Sequence, residues 1–176
     1  MLYNIDWNSV IQGLELDQGE VKTPDAKFYL NTDGRFDQII TKWKAAEYDK
    51  SNSVEWINYY PEKHFSTQII KDFETWSGTK CARSWISRIR PGKMAPLHQD
   101  IDDHIEKYLE QGTLIRYGVF ISAPSPGAIF MFEDRSYHLQ PQGTVFVWKN
   151  YLEWHAGANC GFEDKFMFHF LGITSE

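Results

Sequence analysis

CARSWISRIRPGKMAPLHQD, residues 81–100, marks the point where the chain passes from helical to strand periodicity. Up to residue 90 its side chains fall into two alternating rows, Ala82, Ser84, Ile86, Arg88 and Arg90 against Arg83, Trp85, Ser87 and Ile89. Period-two alternation marks a strand, because successive side chains leave a pleated backbone on opposite faces. Both rows carry polar groups, so neither face is pure core. Pro91-Gly92 then supplies a turn. Residues 115–122 (IRYGVFIS), 128–133 (AIFMFE), 143–148 (GTVFVW) and 165–172 (KFMFHFLG) read as further strands. The breaks between them, APSPG, LQPQG and GANCG, are rich in turn-forming residues. Many short strands at close spacing predict a mainly β sandwich or barrel.

The region upstream has a different period. Residues 36–47 (FDQIITKWKAAE) place Phe36, Ile39, Ile40 and Trp43 on one helical face. Pro61 suits the first turn of a second helix running to about Trp76. Phe65, Ile69, Phe73 and Trp76 form its core stripe, and Gly78 is placed for a left-handed cap. The first 35 residues are mixed, broken by Gly13, Gly19, Pro24 and Gly34. Residues 1–80 therefore read as helical support for a β core over 81–176, within a single domain.

Aromatic residues make up 16% of the chain, 12 Phe, 9 Tyr and 7 Trp, a load suited to sheets and deep pockets. With 18 basic and 24 acidic residues the net charge is −6, which argues against a general phosphate-backbone binder. Arg83, Arg88, Arg90 and Lys93 still offer a local basic cluster. The start, MLYNIDWNSV, has no basic and apolar leader pattern, and no apolar run approaches the ~18 residues a membrane helix needs. The expected setting is cytoplasmic, and the expected partner a small molecule, amino acid or peptide rather than nucleic acid or membrane. Cys81 and Cys160 lie too far apart for a CxxC motif and read as ordinary buried thiols.

The chemistry concentrates in MAPLHQD, residues 94–100, and LEWHAGA, residues 152–158. Residues i and i+2 of an extended strand share a side, so His98 and Asp100 can present an imidazole and a carboxylate to one ion. His155 is the best candidate for a second imidazole. Two histidines and one carboxylate can hold one face of an iron(II) octahedron and leave three positions open. Zinc is the rival metal, since the same ligands plus water would satisfy it. His104 offers a competing ligand, though Asp102 or Asp103 capping a helix at 105–110 accounts better for that acidic cluster. His64 reads as a helix-surface residue, and His138 and His169 as structural.

Residues 84–172 resemble the iron(II)/2-oxoglutarate-dependent dioxygenases, and within them the aspartyl/asparaginyl β-hydroxylase-like branch. RIRPGKMAPLH, residues 88–98, is similar to the family's strand, Pro-Gly turn and first iron histidine. Arg116 in LIRYGVF resembles the arginine that meets the cosubstrate. GTVFVWKNYLEWH leads to the distal histidine, and Lys165, ten residues beyond it, stands where the family places a basic residue. Ser87, 11 residues before His98, matches an assisting hydroxyl. The chain departs from that branch in having Asp100, in Lys rather than Arg at 165, and in Gly118 where the branch has histidine.

The resemblance implies a double-stranded β-helix, the cupin-like jelly roll, with flanking N-terminal helices. It implies iron(II) on His98, Asp100 and His155, with 2-oxoglutarate and dioxygen at the open positions. Such a hydroxylase releases succinate and carbon dioxide. The cosubstrate is a dianion, and burying it requires cations. Lys165 would meet its C5 carboxylate, Ser87 would add a donor, and Arg116 would fork onto its C1 carboxylate. Arg88, Arg90 and Lys149 are lesser candidates. Trp85, Tyr117, Phe130, Phe132, Trp148 and Trp154 are expected to line the barrel or its mouth, and residues 101–113 to form a rim or lid. A cupin-like metal protein that needs no 2-oxoglutarate, or a non-catalytic interaction module, would share the barrel.

Overall fold

Alternating hydrophobicity does produce strands here, and they fall into two antiparallel sheets. The computed structural model describes residues 5–23, 34, 37–100, 105–148 and 152–174. Its strands are β1 (Glu20–Lys22), β2 (Trp56–Tyr59), β3 (Lys80–Ile89), β4 (Lys93–His98), β5 (Thr113–Phe120), β6 (Ala128–Phe132), β7 (Ser136–His138), β8 (Val145–Trp148), β9 (His155–Asn159) and β10 (Lys165–Thr174). The helices are α1 (Trp7–Gln12), α2 (Asp37–Ala45), α3 (Gln68–Ser77) and α4 (Ile105–Leu109). The larger sheet runs β1-β2-β3-β10-β5-β8 and the smaller β4-β9-β6-β7. From β3 to β10 the strands nest by alternating pairs between the two sheets, which is the double-stranded β-helix.

β10 shows how the layers stack. Nine of its ten residues are buried, because the sheet is covered on both sides. On the outer side Phe168 and Phe170 join Ile86, Tyr117, Trp7 of α1 and Phe73 of α3 in one core cluster. On the inner side Met167 meets Phe120, Phe130, Phe132, Phe146 and Trp148 between the sheets. A strand buried on both faces reads as a continuous apolar run, as KFMFHFLG does. A third cluster, Ile39, Trp43, Val54, Trp56, Ile89 and Ala95, fastens α2 to the barrel beside β4. Gly118 is needed on the inner wall: a Cβ there would lie 2.2 Å from the Phe146 ring.

Several expectations change. The region before residue 80 is not only helical, since β1 and β2 extend the larger sheet. The second helix starts at Gln68, not at Pro61. Residues 61–67 instead form a turn in which the Tyr60 N–H donates to His64 Nδ1 (2.8 Å) and His64 Nε2 bonds the Gln18 carbonyl (2.9 Å). His64 is therefore buried and structural rather than on a helix surface. The GANCG break begins as strand β9, where Gly157 lets Ile89 and Lys165 approach the backbone. Cys160 is exposed in the β9–β10 turn and Cys81 is half-buried; burial pushes the Cys81 thiol up to about 11. Tyr117 points away from the barrel interior, 5.4 Å from Phe73. Trp154 packs outside the cavity under Lys42, 4.1 Å from its ring. Phe36, residues 101–104 and Lys149 lie outside the described residues. No helix is long and apolar enough to cross a membrane among the described residues.

Candidate metal centre

The end of β4 and the start of β9 are cross-strand partners, and this pairing sets His98 directly against His155. Their ring centroids lie 4.5 Å apart. Asp100 follows two residues after His98. One ligand atom from each of these three residues lies within 4.8 Å of the others. His155 Nε2 is 3.2 Å from Asp100 Oδ2, and His98 Nε2 is 3.5 Å from Asp100 Oδ1.

The other ring nitrogens decide what these contacts mean. His98 Nδ1 lies 2.6 Å from the Pro96 carbonyl and His155 Nδ1 lies 2.9 Å from the Glu153 carbonyl. A carbonyl only accepts, so in each ring Nδ1 carries a proton and the neutral tautomer turns the Nε2 lone pair toward Asp100. Burial keeps the His155 ring toward its neutral form, with its pKa lowered despite the Asp100 charge. Burial alone would raise the Asp100 carboxyl, but Arg116 and then His155 outweigh it and hold it well below the usual carboxylate range. Two imidazole Nε2 atoms and a carboxylate thus converge, and this donor set fits a divalent transition metal.

Aromatic packing fixes the rings. Trp56 stacks on His98 at 6.0 Å and 18°, and Phe130 stacks on His155 at 5.7 Å and 27°. The Trp43 indole of α2 donates to the Leu97 carbonyl (2.8 Å), so the helical layer grips the strand that carries His98. Arg135 forks onto Glu153 (2.6 and 3.1 Å) while stacking over Phe132 (3.8 Å). It thereby holds the residue whose carbonyl orients His155.

A cavity opens from this cluster between the sheets. Its wall includes Trp56, Asn58, Arg83, Trp85, Ser87, Gln99, Arg116, Phe130, Gly157, Lys165, Met167 and His169. All six residues singled out from sequence, His98, Asp100, His155, Ser87, Arg116 and Lys165, line it. Lys165 is 1% exposed; its Nζ donates to the Ile129 carbonyl, and no acidic residue pairs with it among the described residues. Burial brings its amine down to about 7. Arg116 does not reach a free wall: its guanidinium bonds the Asp100 carboxylate. Ser87 Oγ lies 2.8 Å from His169 Nε2.

The expected basic cluster is dispersed. Arg88 pairs with Asp164 (2.6 Å), Arg90 with Glu55 (3.1 Å), and only Arg83 of the four faces the cavity. Asn58, Trp56 and His169 are cavity residues that sequence reasoning passed over. His169 had a legible signal, since it shares a strand face with Lys165 at a spacing of four. Asn58 had none, because β2 was not recognised as a strand.

No family model matches the sequence, and no curated protein matches it. Solved structures match it at low identity. A viral collagen prolyl hydroxylase from Paramecium Bursaria Chlorella virus-1 is 15% identical, with a TM-score of 0.47 over 89% of this chain and 90% of its own. An oxidoreductase of the 2OG-Fe(II) oxygenase family from Burkholderia pseudomallei is 14% identical, with a TM-score of 0.41 over 61% of this chain and 51% of its own. A cupin domain from Bordetella pertussis is 11% identical, with a TM-score of 0.36 over 53% and 81%. The fold assignment rests on the strand order, and the chemistry on the cluster itself.

Proposed function

We propose that this chain is an iron(II)- and 2-oxoglutarate-dependent dioxygenase, a hydroxylase acting on an amino-acid side chain or a small metabolite. One observation carries the reading. A facial set of two imidazoles and one carboxylate shares a cavity with a buried lysine that has no acidic partner among the described residues. A buried cation is costly unless an anion reaches it. A dicarboxylate spanning from the metal to Lys165 meets both requirements at once.

His98, Asp100 and His155 would hold iron(II), which supplies dioxygen chemistry when bound. Lys165 would meet the distal carboxylate of 2-oxoglutarate as a point charge, and Ser87 would add a hydroxyl donor. Arg116 acts through Asp100: by bonding one carboxylate oxygen it keeps the group ionised and turned toward the histidines. Trp85 and Phe130 wall the cavity against water.

The test is succinate release from 2-oxoglutarate in air with iron(II) added. His98→Ala and His155→Ala should each abolish it while circular dichroism and thermal melting stay near wild type. Retention of wild-type uncoupled turnover by both variants would end the reading.

A further inference from the structure

Asn58 and His169 have no part in that scheme. Each lines the cavity and is more than nine-tenths buried, at 7% and 8% exposure. Each keeps one polar atom, Oδ1 of Asn58 and Nδ1 of His169, without a hydrogen-bond partner among the described residues. An unpaired buried polar atom is costly, and two on one wall call for a reason. Both flank Ser87. Asn58 is its register partner on β2, and His169 on β10 bonds its hydroxyl. The three side chains form a row across three adjacent strands. Trp85 lies flat on His169, at 4.9 Å and 9°, and fixes the plane of the ring.

Counting protons shows what this row offers. Ser87 and a neutral imidazole hold two exchangeable protons, one on Oγ and one on the ring. One of them is used between Oγ and Nε2. With the ring proton on Nδ1, Ser87 donates to Nε2 and the Nδ1–H is left over. With it on Nε2, the ring donates to Ser87 and the hydroxyl proton is left over. Either way one donor remains for a ligand. Burial lowers the His169 imidazole to about 3, so the count holds at neutral pH.

Asn58 complements it. Its Nδ2 makes only a long contact, 3.5 Å, to the Tyr60 hydroxyl. Exchanging the amide O and N lets that hydroxyl donate to Oδ1 and turns an N–H₂ to the unpaired position. Two donors on a wall shared with the Lys165 cation match a planar oxyanion.

We propose that Asn58, Ser87 and His169 form a shelf that receives one carboxylate of the bound ligand, with His169 a binding residue of the cavity. Which carboxylate it receives rests on the dioxygenase reading. 2-Oxoglutarate brings two, and a substrate of amino-acid type brings another.

The experiment loads the protein with iron(II) under argon. It titrates 2-oxoglutarate, then acetate in the presence of saturating 2-oxoglutarate, by calorimetry and tryptophan fluorescence. His169→Phe keeps the stack on Trp85 and removes both ring nitrogens; His169→Gln restores a donor. If the shelf takes the cosubstrate, His169→Phe and Ser87→Ala each weaken 2-oxoglutarate binding at least tenfold. The double variant then loses more than either single, because each single still leaves one exchangeable proton on the pair, offered from a shifted position, and the double leaves none; His169→Gln recovers part of the loss. If the shelf takes the substrate's carboxylate, His169→Phe keeps 2-oxoglutarate binding and loses the acetate signal. Iron(II) affinity and melting temperature stay near wild type in both cases. Unchanged binding of both ligands in His169→Phe overturns the proposal; should that variant not fold, unchanged binding in Ser87→Ala does so. If wild type binds no 2-oxoglutarate, the dioxygenase reading falls. The shelf then stands only if acetate binds the metal-loaded protein and His169→Phe abolishes that binding.

Discussion

Replacing Lys165 with methionine should make the ligand-free protein more stable. An amine whose half-point falls from its ordinary 10.5 to about 7 on folding destabilises the fold by roughly 5 kcal/mol when protonated, at about 1.36 kcal/mol per pH unit. At pH 7, where half the amines are already neutral, roughly 4 kcal/mol of that remains. Methionine removes the charge but leaves the Ile129 carbonyl without its donor, a loss of roughly 1–2 kcal/mol. The net gain is roughly 2–3 kcal/mol, or about 5–10 °C in melting temperature for a chain of this size. The sign can be followed with pH. Between the two half-points the unfolded chain binds more protons than the folded one, so wild-type stability from this group rises with pH. Lys165→Met should lead by a constant margin below about pH 6, and the margin should shrink as pH climbs toward 10. Urea and thermal unfolding of both proteins across pH 6–10 measure it. A variant less stable than wild type at pH 7, or a gap that ignores pH, would refute the picture of a desolvated cation awaiting an anion. The same variant should lose 2-oxoglutarate binding, which is the stability–function exchange expected of a strained site.

Arg135→Ala should lower iron(II) affinity about tenfold in a competition titration with the fold intact, because it frees the segment whose carbonyl orients His155. Arg116→Met leaves Asp100 without its cation and should cost roughly 3–5 kcal/mol in urea unfolding. In wild type the Asp100 contribution is present above its unfolded value of 3.8 and is lost as pH falls through the lower folded one; acid unfolding of the variant should therefore begin at higher pH. Gly118→Ala forces a methyl against the Phe146 ring and should lower stability by roughly 1–3 kcal/mol in the same assay. Phe162→Ser, at a side chain 94% exposed, should change stability by no more than roughly 0.5 kcal/mol.

The β core was readable because its strands alternate or run apolar between turn-forming breaks. The order of strands was not, since pairing β3 with β10 joins residues about 80 positions apart and leaves no local mark. His98 and Asp100 were legible as an i, i+2 pair, and His155 by its place after a strongly apolar strand and before Gly157. Short strands defeated the reading: β1, β2 and β7 hold three or four residues each, too few to show a period. Pro61 looked like a helix start, but the hydrogen bonds of buried His64 form a turn there instead. The partner of Arg116 could not be foreseen either, because a guanidinium near both a metal ligand and a ligand pocket is claimed by whichever carboxylate the fold brings closer.

The bonds from His98 to Pro96 and from His155 to Glu153 use main-chain oxygens. Every residue type carries such an oxygen, so no single replacement at position 96 or 153 deletes the acceptor that turns Nε2 of each ring toward Asp100. Sequence can drift along both approaches while the protonation pattern of the imidazoles is inherited unchanged. What would disturb it is an insertion or deletion that alters the two-residue step between acceptor and ring.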